Sequence, residues 1–224
     1  MRDGSKLDCT VYFEVDAMAR RGEVLREHIL DTAKTAFLED GFERTSMDAI
    51  AARAETSKRS LYAHFPTKDA LFQAVVERTR ALFGERMRTP AEYAEQPVDA
   101  VARYCGRLVQ LLRWSSVGRM LRLGIAEADR LPELAAGLYD VVFGTTSREL
   151  AAYLVDGWGQ TSETAGPMAD ELIGLVVHPR LPRLLFGLDR PVDARPDEAS
   201  LATDVDLDEI GRLVRLVLPA PTTA

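Results

Sequence analysis

The chain has 224 residues, 46% of them hydrophobic, and a formal net charge of −7. That length and composition can close one large or two modest cores without disulfide or metal staples. Cys9 and Cys105 match no metal or redox spacing, and there is neither a long apolar run nor a basic-then-apolar leader, which argues against a disulfide scaffold, a membrane span and an exported chain.

The expectation is therefore a soluble, cytoplasmic protein with two reduced thiols and no cofactor. The acid is unevenly placed. Residues 1–88 hold 15 Lys/Arg and 15 Asp/Glu, whereas residues 89–224 hold 13 and 20, so the excess lies wholly in the second part.

Residues 1–19 stand apart from the pattern that follows. Thr10–Val15 could form a short strand but has no evident partner, and the segment reads as a flexible extension, with Arg20 and Arg21 as auxiliary cations. Leu25, Ile29, Ala33, Ala36 and Phe37 then recur at helical spacing, and Gly41 stands where a helix end favours a left-handed residue.

Thr45 followed by Asp48 reads as a capping box, and Met47, Ile50, Ala51 and Ala54 mark one face of a helix over about 46–54. The chain must turn within Glu55 and Thr56, because Ser57 is a good N-cap and Leu61 and Phe65 share the next face, predicting a short helix over 58–64. Pro66 ends it and Thr67 caps a longer helix running to about Arg88.

Two short helices joined by a tight turn and followed by a third form a device for placing one helix in the DNA major groove. Its first turn carries Lys58 and Arg59. Arg59 is the leading base reader, since its planar fork matches guanine O6 and N7, while Lys58 suits a phosphate at least as well. Ser57 and Ser60 are small enough to donate to phosphate or base. Thr45 and Ser46 at one helix start and Lys68 at another lie where free backbone N–H groups favour anions, and are assigned to phosphate clamping. On an arbitrary helix, Lys58 and Arg59 would simply be a solvated face; the surrounding motif gives them a role.

D-G-F-x-x-T-S-M-D-A-I-A followed by T-S-K-R-S-L-Y-A-H-F-P-T-K-D-A-L-F resembles the N-terminal domain of TetR-family transcriptional regulators over roughly residues 23–83. The resemblance implies an all-α fold, with an N-terminal three-helix helix-turn-helix DNA-binding domain and a C-terminal helical ligand-binding and dimerisation domain. The boundaries expected are 1–19 for the extension, 20–88 for the DNA-binding domain with its linker helix, and 89–224 for the effector domain. It also implies backbone phosphate contacts from Tyr62 and His64, a homodimer on a palindromic operator in double-stranded DNA, repression, and release by an unidentified small-molecule effector. In this family, Gly and an apolar residue commonly stand where this chain has Glu55 and Thr56, and Glu tolerates positive φ far less well than Gly.

Beyond Pro90, a helical stripe at Val101, Tyr104, Cys105, Leu108, Leu111 and Leu112 ends near residues 114–116, and further helices are predicted over about 118–129, 132–158, 168–178, 181–188 and 207–218, with Gly157, Gly159, Gly166 and Pro167 marking a loop and residues 189–206 a mobile one. By the resemblance, 168–188 and 207–218 would form the dimer interface; the alternative is that their stripes pack inward. Tyr104, Trp114, Met120, Tyr139 and Phe143 are the large side chains best placed to line a pocket for a largely apolar ligand, though any one of them also fits ordinary core.

No G-x-S-x-G, H-E-x-x-H, P-loop or complete G-x-G-x-x-G is present, so no catalytic and no metal-binding residues are assigned. The competing reading is a DNA-binding regulator without a small-molecule effector, controlled by a protein partner or by its own concentration.

Overall fold

The computed structural model describes residues 9–178 and 180–221. Residues 1–8 of the expected extension, and Pro179, expected to kink a helix, lie outside the described residues. The chain divides into two compact units, Met1–Val75 and Val76–Ala224.

The first unit contains α1 (Cys9–Asp40), α2 (Met47–Arg53), α3 (Lys58–His64) and the start of α4 (Lys68–Gly84). α1 begins at Cys9 and includes residues 10–15, so that stretch is helical and not a strand. It ends as the sequence indicates: Gly41 takes φ +79 and its N–H returns to Phe37 O at 3.0 Å. Ile29, Ala33, Ala36 and Phe37 of α1 are buried with Ile50, Leu61, Phe65, Leu71 and Phe72. Phe37, Phe42 and Phe72 form an aromatic trio with ring centroids 5.1–5.7 Å apart. Full burial of each such ring contributes roughly 1.5–3 kcal/mol, so this trio dominates the small core.

The second unit is built around α5 (Pro97–Arg113), whose residues from Ala100 to Leu112 are nearly all buried. Around it lie α6 (Ser115–Ala126), α7 (Pro132–Tyr139), α8 (Thr145–Asp156), α9 (Ser162–Val177), α10 (Arg180–Leu185), α11 (Leu201–Asp204) and α12 (Leu207–Val217). A single 3₁₀ turn, Pro90–Glu92, precedes α5. Two buried polar side chains are satisfied from distant elements: the single Tyr104 O–H is shared between Thr146 O at 2.9 Å and Glu149 Oε2 at 3.0 Å, and Trp158 Nε1 donates to Pro219 O at 2.7 Å.

The helix expected over 132–158 runs without a break from Pro132 to Asp156 but widens part-way along. Residues Asp140–Gly144 form a π-helical turn between α7 and α8, where the Thr145 N–H reaches Asp140 O, five residues back. A Cβ at position 144 would come within 2.5 Å of Asp140 Oδ1, so a larger residue there would push the Asp140 carboxyl aside. Gly166 and Pro167, read as loop, lie inside α9. The hydroxyl of Thr161 caps that helix by accepting from Thr164 N, and Pro167 forgoes one N–H bond in its second turn.

Residues 189–206, expected to be mobile, are tied down. Val192 N–H donates to Arg113 O at 2.8 Å, Ser115 N–H donates to Val192 O at 2.9 Å, and Leu201 of α11 is buried. Of the α12 stripe assigned to a dimer interface, Ile210 and Val214 are buried in the core of this unit while Leu213 and Val217 are half-buried, and the neighbouring Leu216 is 75% exposed. Gly106 of α5 lies close under α12, where a Cβ would meet Leu207 Cδ2, the end of a side chain, at 2.7 Å.

Candidate nucleic-acid interface

The two short helices of the first unit are shaped by their ends. Ser46, not Thr45, is the N-cap of α2, its Oγ accepting from Ala49 N at 3.1 Å. Thr45 is buried, and its hydroxyl donates to Gly41 O at 2.7 Å. That carbonyl stands at the end of α1, where orphan acceptors need donors. The capping box read on Thr45 and Asp48 is therefore corrected, and the Thr45 side chain shapes the turn without being presented to solvent.

The turn between α2 and α3 takes the geometry a glycine would give. Glu55 adopts φ +49. Its N–H bonds Ala52 O at 3.2 Å while Thr56 N–H bonds Ala51 O at 3.0 Å, the paired bonds of a Schellman helix end. Ser57 then caps α3, accepting from Ser60 N at 3.0 Å, with the two hydroxyls also 3.0 Å apart. Leu61 and Phe65 anchor α3 in the core, and the Arg26 guanidinium lies 5.4 Å from the Phe65 ring centroid. Arg53 fixes α2 to the end of α1 through Glu39 and Asp40, at 3.1 Å each.

Locked in this way, α3 turns Ser57, Lys58 and Arg59 to solvent, and Tyr62 is 46% exposed. Lys58 is drawn to Asp48 Oδ2 at 2.6 Å. No intramolecular partner holds Arg59 among the described residues, so its fork stands free at the head of the helix. Ser60 and His64 are half-buried, with the imidazole 6.3 Å from the Phe65 ring.

Lys68, assigned to a phosphate, is otherwise occupied. Its ammonium donates to Phe42 O at 2.9 Å and Glu43 O at 3.3 Å and lies 4.2 Å from the Phe42 ring centroid. It binds the start of α4 to the turn after α1. Asp48 is the participant the sequence reading missed: it stands ten residues before Lys58, and helical periodicity carries no signal for a pair across a turn.

In the second unit, the five side chains expected to line one pocket separate. Tyr139 and Phe143, with ring centroids 5.4 Å apart, share an apolar cavity of about 190 Å³ with Leu121, Leu138 and Leu185. Trp114 lines a different cavity that carries charged groups, Met120 borders a space of about 10 Å³, and Tyr104 is fully buried core.

Residues 29–75 match the profile of bacterial regulatory proteins of the tetR family, and residues 99–207 match that of the AefR-like transcriptional repressor C-terminal domain. The chain belongs to the TetR family. Among curated relatives of this TetR-family chain, the HTH-type transcriptional regulator UidR of Escherichia coli K12 is 34% identical over 130 residues, 55% of this chain and 62% of the relative. The chain thus spans less than two thirds of that relative's length. The DNA-binding transcriptional repressor TetR of Mycobacteroides abscessus is 33% identical over 70 residues, 31% of this chain and 37% of that one. These relatives are transcriptional regulators, not enzymes. A crystal structure of a TetR-family regulator from Mesorhizobium loti matches the fold with a TM-score of 0.71 at 24% identity, covering 88% of this chain and 98% of the other. Among the described residues, no helix is long and apolar enough to cross a membrane, and no cluster of His, Cys, Asp and Glu could hold a metal ion.

Proposed function

We propose that this TetR-family chain is a sequence-specific DNA-binding repressor that works as a homodimer in the cytoplasm, with α3 as the helix that enters the major groove. The observation that carries the reading is the presentation of Arg59. It projects unpaired from the first turn of a helix held by the Ser57 cap, the Glu55 turn and the Leu61–Phe65 anchor. A rigid helix with a free planar donor at its head is what base-edge recognition requires.

Ser46, Ser57, Ser60 and Tyr62 supply neutral donors for phosphate oxygens, and Lys58 supplies charge once released from Asp48. One short helix reads few base pairs, so a two-fold dimer on a palindrome supplies the specificity. The acidic second part of the chain disfavours nonspecific wrapping of DNA, while the neutral balance of residues 1–88 leaves local cations to act on phosphates.

The apolar cavity carrying Tyr139 and Phe143 supports control by a small, largely apolar ligand, acting by population shift. To turn 1:99 into 99:1, such a ligand needs about 5.5 kcal/mol of differential affinity between the DNA-competent and released states.

Selection of random duplex DNA by the purified protein at near-physiological salt, followed by salt titration on the enriched site, tests the reading. A palindrome bound by a dimer, with affinity falling as salt rises, is the expected result; a folded protein that enriches nothing over random DNA overturns it.

A further inference from the structure

A cavity of about 420 Å³ in the second unit lies apart from the apolar one, between the end of α5 and residues 192–204. It is a built space. On one side, the Val192 backbone exchanges bonds with Arg113 O and Ser115 N. On the other, Gln110, itself 4% exposed, donates from Nε2 to Asp197 O at 2.9 Å and to Asp204 Oδ2 at 2.6 Å.

The charges around it are matched asymmetrically. Both carboxylates in the wall are satisfied by neutral donors: Asp204 Oδ2 accepts from Ser200 Oγ at 2.6 Å as well as from Gln110, and Asp197 Oδ1 accepts from Ser200 N at 2.8 Å. Neither guanidinium in the wall forms a close ion pair among the described residues, although the Arg113 charge is felt by the Asp204 and Asp189 carboxyls. Arg113 bonds a backbone carbonyl, Asp204 O, and among the described residues Arg195 is exposed without any partner.

Further arginines stand behind them. Arg107 is 4% exposed, yet it bonds only Arg86 O and Gln110 Oε1, and the Arg86 guanidinium lies 5.3 Å from the centroid of the Trp114 ring that lines the cavity. Burial, and then the charges of Arg195 and Arg107, hold the Arg86 guanidinium below the usual arginine range. A buried cation without a carboxylate is costly, and here several guanidinium groups reinforce one another. An anion entering the cavity would relieve that repulsion.

We propose that this cavity binds a small planar organic carboxylate, its acid group held by Arg195 and Arg113 and its ring set against Trp114. The forked donors suit a carboxylate, and the indole gives a flat body a surface to pack on. The volume falls within the range of small-molecule sites. This site is separate from the Tyr139–Phe143 cavity and would give the protein a second, chemically distinct ligand.

The test is titration calorimetry of the full chain, without DNA, using benzoate and 1-naphthoate beside benzamide and 1-naphthamide. The acids are expected to bind, naphthoate more tightly, with the amides at least tenfold weaker. Arg195→Gln, which breaks no intramolecular bond, should weaken the acids at least tenfold, whereas Tyr139→Ala in the other cavity should leave them unchanged. Equal binding of acid and amide, wild-type affinity in Arg195→Gln, or no heat from either acid at millimolar concentration would each overturn the proposal. Because no DNA is present, this outcome is independent of the operator reading.

Discussion

The Lys58 ammonium sits 2.6 Å from Asp48 Oδ2, so one of the two cations at the head of α3 is held by α2 while its neighbour Arg59 stands free. Adjacent residues of the same charge are thereby prepared for different tasks. Arg59→Ala should relax selectivity at one base position per half-site, at about 1–3 kcal/mol. Affinities for an operator and its single-base variants measure this; a loss spread evenly over all positions would show that Arg59 contacts backbone instead.

Asp48→Asn should release Lys58. Both side chains are exposed, so folding stability should change little, by about 0–1 kcal/mol at most. DNA affinity should rise uniformly across sequences, and the slope of log affinity against log salt should steepen by about one phosphate contact. An unchanged slope would place Lys58 away from the phosphates.

Lys68→Met should destabilise the first unit instead of merely weakening DNA binding, because the ammonium serves the Phe42 and Glu43 carbonyls and lies over the Phe42 ring. Losing charge-assisted bonds of this kind costs about 1.5–3 kcal/mol. Thermal melting checks it: an unaltered Tm alongside weakened binding would return Lys68 to the phosphate clamp.

Glu55→Gly should stabilise the fold. A glutamate held at φ +49 bears a strain that glycine does not, offset in part by the greater freedom of glycine in the unfolded chain. The net gain expected is about 1 kcal/mol, visible as a rise in the denaturant midpoint with an unchanged m-value.

Acid should loosen the 192–204 segment. Hydrogen bonds from Ser200 and Gln110 hold the Asp204 carboxyl below its usual range. A carboxyl with a lowered folded pKa contributes stability that is present above its ordinary value, near 3.9, and is lost as pH falls through the folded one. The difference in stability between wild type and Asp204→Asn should therefore shrink below about pH 4; a constant difference from pH 3 to pH 7 would contradict this.

What the sequence made legible follows from where the information lies. Helical spacing placed α2, α3 and the Leu61–Phe65 anchor, because each is fixed by neighbours three or four residues away. Thr45 and Ser46 are both plausible caps, and only the Gly41 carbonyl, set by the end of α1, decides between them. α12 lies close over Gly106, roughly a hundred residues earlier, and residues 189–206 are held by the Val192 backbone together with the Gln110 and Arg113 side chains, partners too distant in sequence to leave a local signal. The five candidate pocket residues were chosen by size, and size does not say which side of a helix faces which neighbour.

The π turn at Asp140–Gly144 is in effect one surplus residue in an otherwise continuous helical rod. Each residue of an α-helix advances the side chains by about 100°, so that single insertion sets the phase of everything after it, including Leu150 and Leu154, which it aims at the core. Deleting one residue there would leave the composition almost untouched and rotate α8 out of phase with α5. The architecture of this half of the protein thus rests on a count of residues as much as on their chemistry.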